Sequence, residues 1–135
     1  MFLHFITEAE HKAAFMELAH RIANSDGFMN RNEWHYIQGW MLELGLESWE
    51  PQADDSLSTA DLVGHLKDES LKRIFLAEML LLIFADGNYN DEEKRIAEEM
   101  RQLFRCDEET FGKFRSWVES LNKLKVEGMK LILDA

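Results

Sequence analysis

The stretch "FADGNYNDEE", residues 84–93, closes the most apolar run of the chain with a turn crowded with carboxylates, and "NSDGFMNRNE", residues 24–33, repeats its pattern. Asp26, Gly27, Asn30 and Glu33 recur as Asp86, Gly87, Asn90 and Glu93, sixty residues on. Asp-Gly followed by Asn and then Glu ends one helix and opens the next. Glycine supplies the left-handed stop, Asn caps the following helix, and Glu at its third position completes a capping box. Two copies therefore predict two helix-turn-helix units.

The same offset pairs Phe15 with Phe75, Ile22 with Leu82, Trp40 with Met100 and Leu44 with Phe104. Two amphipathic hairpins cannot each bury an apolar face alone. The expectation is an all-α, single-domain helical bundle over residues 1–135, with six to seven helices and pseudo-two-fold symmetry.

The boundaries follow from caps and period. Thr7 and Glu10 form a capping box for a helix reaching about Asn24, and a second helix runs over 31–44 to a stop at Gly45. Residues 45–57, with the only proline, are a connection that tucks Trp49 against the core, and a short helix follows around "TADLVGHL". Asp68 caps a central helix to about Ala85, Asn90 caps one to about Phe104, and Asp107 opens a long one. Gly128 separates a last apolar piece, "MKLILDA".

Composition narrows the function. A chain of 135 residues suits one core, and 46% hydrophobic with 30% charged residues is the balance of a folded protein. A net charge of -11 repels phosphate, so nucleic acid and anionic membrane are not the expected partners. Cations, basic surfaces, a protein partner or a homodimer fit better. Cys106 alone allows no internal disulfide and suits a reducing cytoplasm. "MFLHFITEAEHK" lacks the basic region of a signal peptide, and "IFLAEMLLLIFA", residues 74–85, is about half a membrane span and carries Glu78. The expected location is the cytoplasm, with no membrane insertion.

Two readings of the repeated turn stay open. Caps and stops account for the Gly, Asn and Glu without any ligand. Asp26 and Asp86 fit less well, because a carboxylate at the end of a helix faces the negative end of the dipole, at a cost of roughly 0.3–1 kcal/mol. An Asx-turn or a bound cation compensates. The Gly-to-Glu spacing equals that of an EF-hand loop, but the first ligand position falls on Ile22 and Leu82 and the third on Asn24 and Phe84, so no complete calcium shell forms. The candidate metal set is Asp86, Asn90 and Glu93 with Asp26, Asn30 and Glu33, weakly holding calcium, magnesium or manganese. Arg31 makes the first copy the poorer site.

"ANSDGFMNRNEWHYI" and "FADGNYNDEEKRIAEEM" resemble the bacterial TerB-like helical domains, named for a tellurite-resistance protein and also found at the N-terminus of a membrane-anchored DnaJ co-chaperone. The resemblance spans roughly residues 7 to 120. It implies a compact all-α domain without known catalytic activity, divalent-metal binding at the acidic turns, and a role in stress response or assembly. Carried over, it points to Asp26, Glu33, Asp86 and Glu93.

The rival class is a carboxylate-based enzyme, metal-dependent or not, using the turn acids or Glu78. An unpaired carboxylate in an apolar helix would lose several kcal/mol or take up a proton, so Glu78 needs an Arg, Lys or backbone partner, a solvent-facing slot, or a function. The Glu8/His11 and Glu17/His20 pairs match the Glu-x-x-His of di-iron bundles, but lie about half a turn out of phase on one helix. The sequence has no phosphate loop, nucleophile elbow or Cys-His pair at catalytic spacing, and a non-catalytic binding or scaffold module is the favoured expectation.

Overall fold

A computed structural model describes residues 1–23, 31–49, 58–84 and 91–134, excepting within these the side chains of Arg31 to Trp34 and of Tyr36. The described residues are all-helical: a 3-10 turn at Leu3–Phe5, then α1 (Ala9–Ala23), α2 (Arg31–Leu44), α3 (Thr59–Val63), α4 (Glu69–Ile83), α5 (Asp91–Leu103) and α6 (Glu108–Leu133). No helix among them is long and apolar enough to cross a membrane.

The repeat is visible in the backbone. α4 starts and ends sixty residues after α1, and α5 starts sixty residues after α2. The approach to each copy matches as well: Ile6 N–H donates to Leu3 O at 2.9 Å, and Leu66 N–H to Val63 O at 3.0 Å. At the far end the same stop is built twice. Gly45, at φ 75°, and Arg105, at φ 53°, are both left-handed. Around them Leu46 N–H reaches Met41 O at 2.9 Å and Cys106 N–H reaches Arg101 O at 3.0 Å. These are the bonds that satisfy orphan carbonyls at a helix end. Glycine adopts the turn without strain, whereas Arg105 holds it against its own Cβ.

The two copies meet through equivalent residues. Phe15 on α1 and Phe75 on α4, both fully buried, pack edge to face with ring centres 5.3 Å apart. Trp40 adds a second edge contact on Phe15 at 4.8 Å. Around this axis lie Ile22 and Leu82, Met100, Leu44 and Phe104, all buried. Every residue from Phe75 to Phe84 is buried, which makes α4 the central helix, with α1, α5 and α6 packed on it. Burying each large aliphatic side chain contributes about 1.5–3 kcal/mol. α6 is fastened to the end of α4 by Asn122, whose Nδ2 donates to Phe84 O at 3.0 Å, and by the fully buried Val118. Trp49 packs against the core with its ring on His20 at 5.6 Å.

Of the expected caps, those at Asn30 with Glu33 and at Asn90 lie outside the described residues, and the rest are kept with two exceptions. The Asp68 carboxylate accepts from Ser70 N–H and that of Asp107 from Thr110 N–H, at 2.8 and 2.7 Å. Ser58 and Asp61 close a capping box on α3. The Thr7–Glu10 box is not the start of α1: Glu8 O accepts from both His11 and Lys12 N–H, so the helix begins one residue later. Glu10 faces His65 instead, at 3.7 Å. Gly128 does not separate a last piece either, for α6 runs through it to Leu133. One glycine costs a helix about 1 kcal/mol relative to alanine, too little to break one flanked by Leu, Met and Lys.

Candidate functional site

Of the predicted turn residues, Asp26, Asn30, Asp86 and Asn90 lie outside the described residues, as does the side chain of Glu33. Glu93 is described: it is the third residue of α5 and only 5% exposed. Its first-turn neighbours Asp91 and Glu92 are exposed, and Glu92 pairs with Arg95 at 3.1 Å. Three acids in the first turn of α5 complement the positive end of its dipole, and a carboxylate as buried as Glu93 is held only where polar groups meet it. Among the described residues no group of three or more His, Cys, Asp or Glu side chains is placed to hold a metal.

Glu78, 1% exposed in the middle of α4, is satisfied from an unexpected direction. Its Oε1 accepts from the main-chain N–H of Phe2 at 2.8 Å and lies 3.1 Å from the Met1 ammonium. Glu43 on α2 completes the clamp: its Oε2 accepts from the same ammonium at 2.8 Å and its Oε1 from Leu3 N–H at 3.1 Å. Burial alone would lower the affinity of the Met1 amine for its proton. The hydrogen bond it donates to Glu43 and the charge of Glu78 outweigh it and hold the group above its ordinary value.

The second copy explains why two acids are needed here. The equivalents of Glu78 and Glu43 are Leu18, buried, and Leu103, packed against the core. There the incoming chain is α3, whose amides are capped by Ser58 and by its own helix, Leu62 N–H donating to Ser58 O at 3.1 Å. The 3-10 turn of the first copy has no side-chain cap at Phe2, and the N–H groups of Phe2 and Leu3 are met by the two carboxylates instead. Oε2 of Glu78 remains buried without a hydrogen-bond partner among the described residues. A cleft of about 330 Å³ opens beside it, with Glu43, Trp40 and His35 in its lining. The Glu-x-x-His residues serve elsewhere: His11 lies 3.5 Å from Glu8 on the surface of α1, while His20 meets Trp49.

The feature that sequence reasoning missed is the end of α6. Leu124, Val126, Met129, Leu131, Ile132 and Leu133 are all exposed, Leu131 by 77% and Ile132 by 76%. On a helical wheel these side chains, with only Lys125 and Asn122 between them, cover more than half the circumference. The polar strip is Lys123, Glu127 and Lys130.

Compared with protein-family models, with curated proteins and with solved structures, the chain matches none.

Proposed function

We propose that this chain is a non-catalytic binding or scaffold module of the cytoplasm, TerB-like and stress-linked, that docks a protein partner or a second copy of itself through the end of α6. The observation that carries the docking reading is the six-residue apolar end of that helix. Surfaces of monomeric proteins rarely carry a contiguous apolar patch above a few hundred Å², and a helix apolar over so much of its circumference is ordinarily covered. The resemblance of the two Asp-Gly turns supports the family reading. With it goes a divalent cation, bound weakly at the acidic turns and better at the second, where the buried Glu93 sits beside Asp91 and Glu92.

Light scattering on the wild type and on Leu131→Asp/Ile132→Asp tests the docking surface. Self-association or partner capture that the double variant loses is the expected result. A wild type that stays monomeric at millimolar concentration, and that binds an apolar dye no better than the variant, removes the reading. Calorimetric titration with calcium, magnesium and manganese, on the wild type and on Asp86→Asn/Glu93→Gln and Asp26→Asn/Glu33→Gln, tests the turns. Absence of heat with every ion leaves them as helix architecture.

The rival reading, an enzyme using Glu78 or the turn acids, has the unpartnered Oε2 in its favour. The other oxygen is committed to the Phe2 amide and the Met1 ammonium. We therefore assign Glu78 to holding the 3-10 turn against α4.

A further inference from the structure

A cavity of about 800 Å³ lies where the two copies begin. Its walls are equivalent pieces of chain with different chemistry. The approach to α1 contributes Phe5, Ile6 and Thr7, while the approach to α4 and its first turns contribute His65, Lys67 and Arg73. Under the sixty-residue offset His65 takes the place of Phe5, Lys67 that of Thr7, and Arg73 that of Ala13. One wall is thus largely apolar and the other basic, and Leu71 and Ile74 continue the apolar lining between them.

His11 breaks the pattern, being the equivalent of Leu71, and its ring stacks on His65 at 5.5 Å. The acids of the rim are engaged: Asp68 caps α4 through Ser70 N–H, and Glu8 lies against His11. Lys67 and Arg73 form no ion pair among the described residues. Nε2 of His65 is buried without a hydrogen-bond partner among the described residues; the exposed Glu10 carboxylate faces it at 3.7 Å, beyond hydrogen-bond distance, and is the group a bound carboxylate would displace. Phe5, 63% exposed, stands at the lip with no apolar cover. Cavities of this size that combine apolar walls with a few convergent polar groups are the usual form of small-molecule sites.

We propose that this cleft binds a free amphipathic carboxylate of medium chain length, its headgroup between Lys67, Arg73 and His65 Nε2 and its hydrocarbon on Phe5, Ile6 and Ile74. The basic wall supplies charge-assisted hydrogen bonds, and His65 donates from Nε2 in the tautomer that carries its proton there. Covering Phe5 supplies the apolar part. The site is separate from the end of α6 and from the acidic turns.

The test is calorimetric titration of the full chain carrying Leu131→Asp/Ile132→Asp, which removes the competing apolar surface, with dodecanoate and dodecyltrimethylammonium below their micelle concentrations. Dodecanoate is expected to saturate at one per chain and to bind at least about tenfold more tightly than the ammonium compound. The net charge of -11 favours the cation, so that order has to come from the cleft. Lys67→Glu/Arg73→Glu, at exposed positions that leave folding intact, should weaken dodecanoate at least about tenfold, and Ile74→Trp should block it by filling the cleft. Equal affinity for the two headgroups, unsaturable uptake, or unchanged binding in the charge-reversal variant overturns the proposal. Sedimentation with phosphatidylglycerol vesicles without binding of dissolved dodecanoate overturns it too, in favour of a membrane source.

Discussion

The first copy, from Leu3 to Gly45, and the second, from Val63 to Arg105, are one architecture carried out with two sets of side chains. Where the copies agree, the residues hold the bundle together: Phe15 with Phe75, Ile22 with Leu82, and the left-handed stops at Gly45 and Arg105. Where they disagree, the local surroundings differ. Glu78 and Glu43 stand against Leu18 and Leu103 because the first copy is entered by a bare 3-10 turn and the second by a capped helix. A buried carboxylate in a central helix thus reads as a fastening for main-chain amides, a role that its own element gives no sign of.

The comparison is broken most severely at its axis. Phe15→Ala and Phe75→Ala should each destabilise by about 3–5 kcal/mol in denaturant unfolding. Phe15 also meets Trp40, so its variant should be the worse by roughly 1 kcal/mol, the value of one aromatic pair. Equal losses would show that the Trp40 contact contributes nothing.

Next comes the polar difference. Glu78→Leu copies the residue of the other half, yet it leaves the Phe2 N–H without an acceptor and the Met1 ammonium with Glu43 alone, and should destabilise by about 1–3 kcal/mol. Hydrogen exchange at Phe2 should rise with it. A variant as stable as the wild type would mean that the chain start is not held by Glu78.

The stops give a smaller and opposite pair of effects. Gly45→Ala should cost roughly 1 kcal/mol, since alanine resists φ near 75°. Arg105→Gly should gain a few tenths to 1 kcal/mol by releasing a strained φ, less what the glycine adds to the freedom of the unfolded chain. Loss of stability in both variants would show that Arg105 is kept for a contact that outweighs its backbone.

The smallest effect is a difference in pH response, with Met1 as the first residue. Its ammonium is raised above 8.0 in the fold, so what it contributes is complete below that value and is lost as pH rises through the raised one. Asp61 is lowered below 3.8 by the backbone N–H and then the hydroxyl of Ser58. Its contribution is complete above 3.8 and is lost as pH falls through the lowered value. The entry to the first copy should therefore loosen in alkali and that to the second in acid, as amide exchange at Leu3 and Leu62 would report. Loosening of both at the same end of the scale contradicts the assignment.

Much of the fold was legible because the repeat speaks twice. Apolar period, Asp caps at Asp68 and Asp107 and the stop at Gly45 are local signals, and the structure keeps them. The stop at Arg105 was not legible from composition, since arginine does not announce a positive φ; only its offset from Gly45 points to it. The partner of Glu78 was hidden for another reason, being a main-chain amide 76 residues away. Exposure of Leu131 and Ile132 was hidden because an apolar helix face reads the same whether it is covered or bare. The cation set at the turns, by contrast, is an expectation that rests on the sequence pattern alone.

The meeting of Phe15 and Phe75 joins equivalent positions of the two copies, as the contact across the axis of a dimer would, though one ring offers its edge and the other its face. Joining the two in one polypeptide removes a restriction that any such pair lives under. In a dimer of identical chains every substitution appears on both sides of the axis, so a carboxylate introduced at the level of Glu78 would be buried twice and would need an amide to meet it on each side. Covalent linkage lets a change be made on one side alone. Here the acids Glu78 and Glu43 stand in one half alone, around the 3-10 turn, while Leu18 and Leu103 hold the equivalent places in the other.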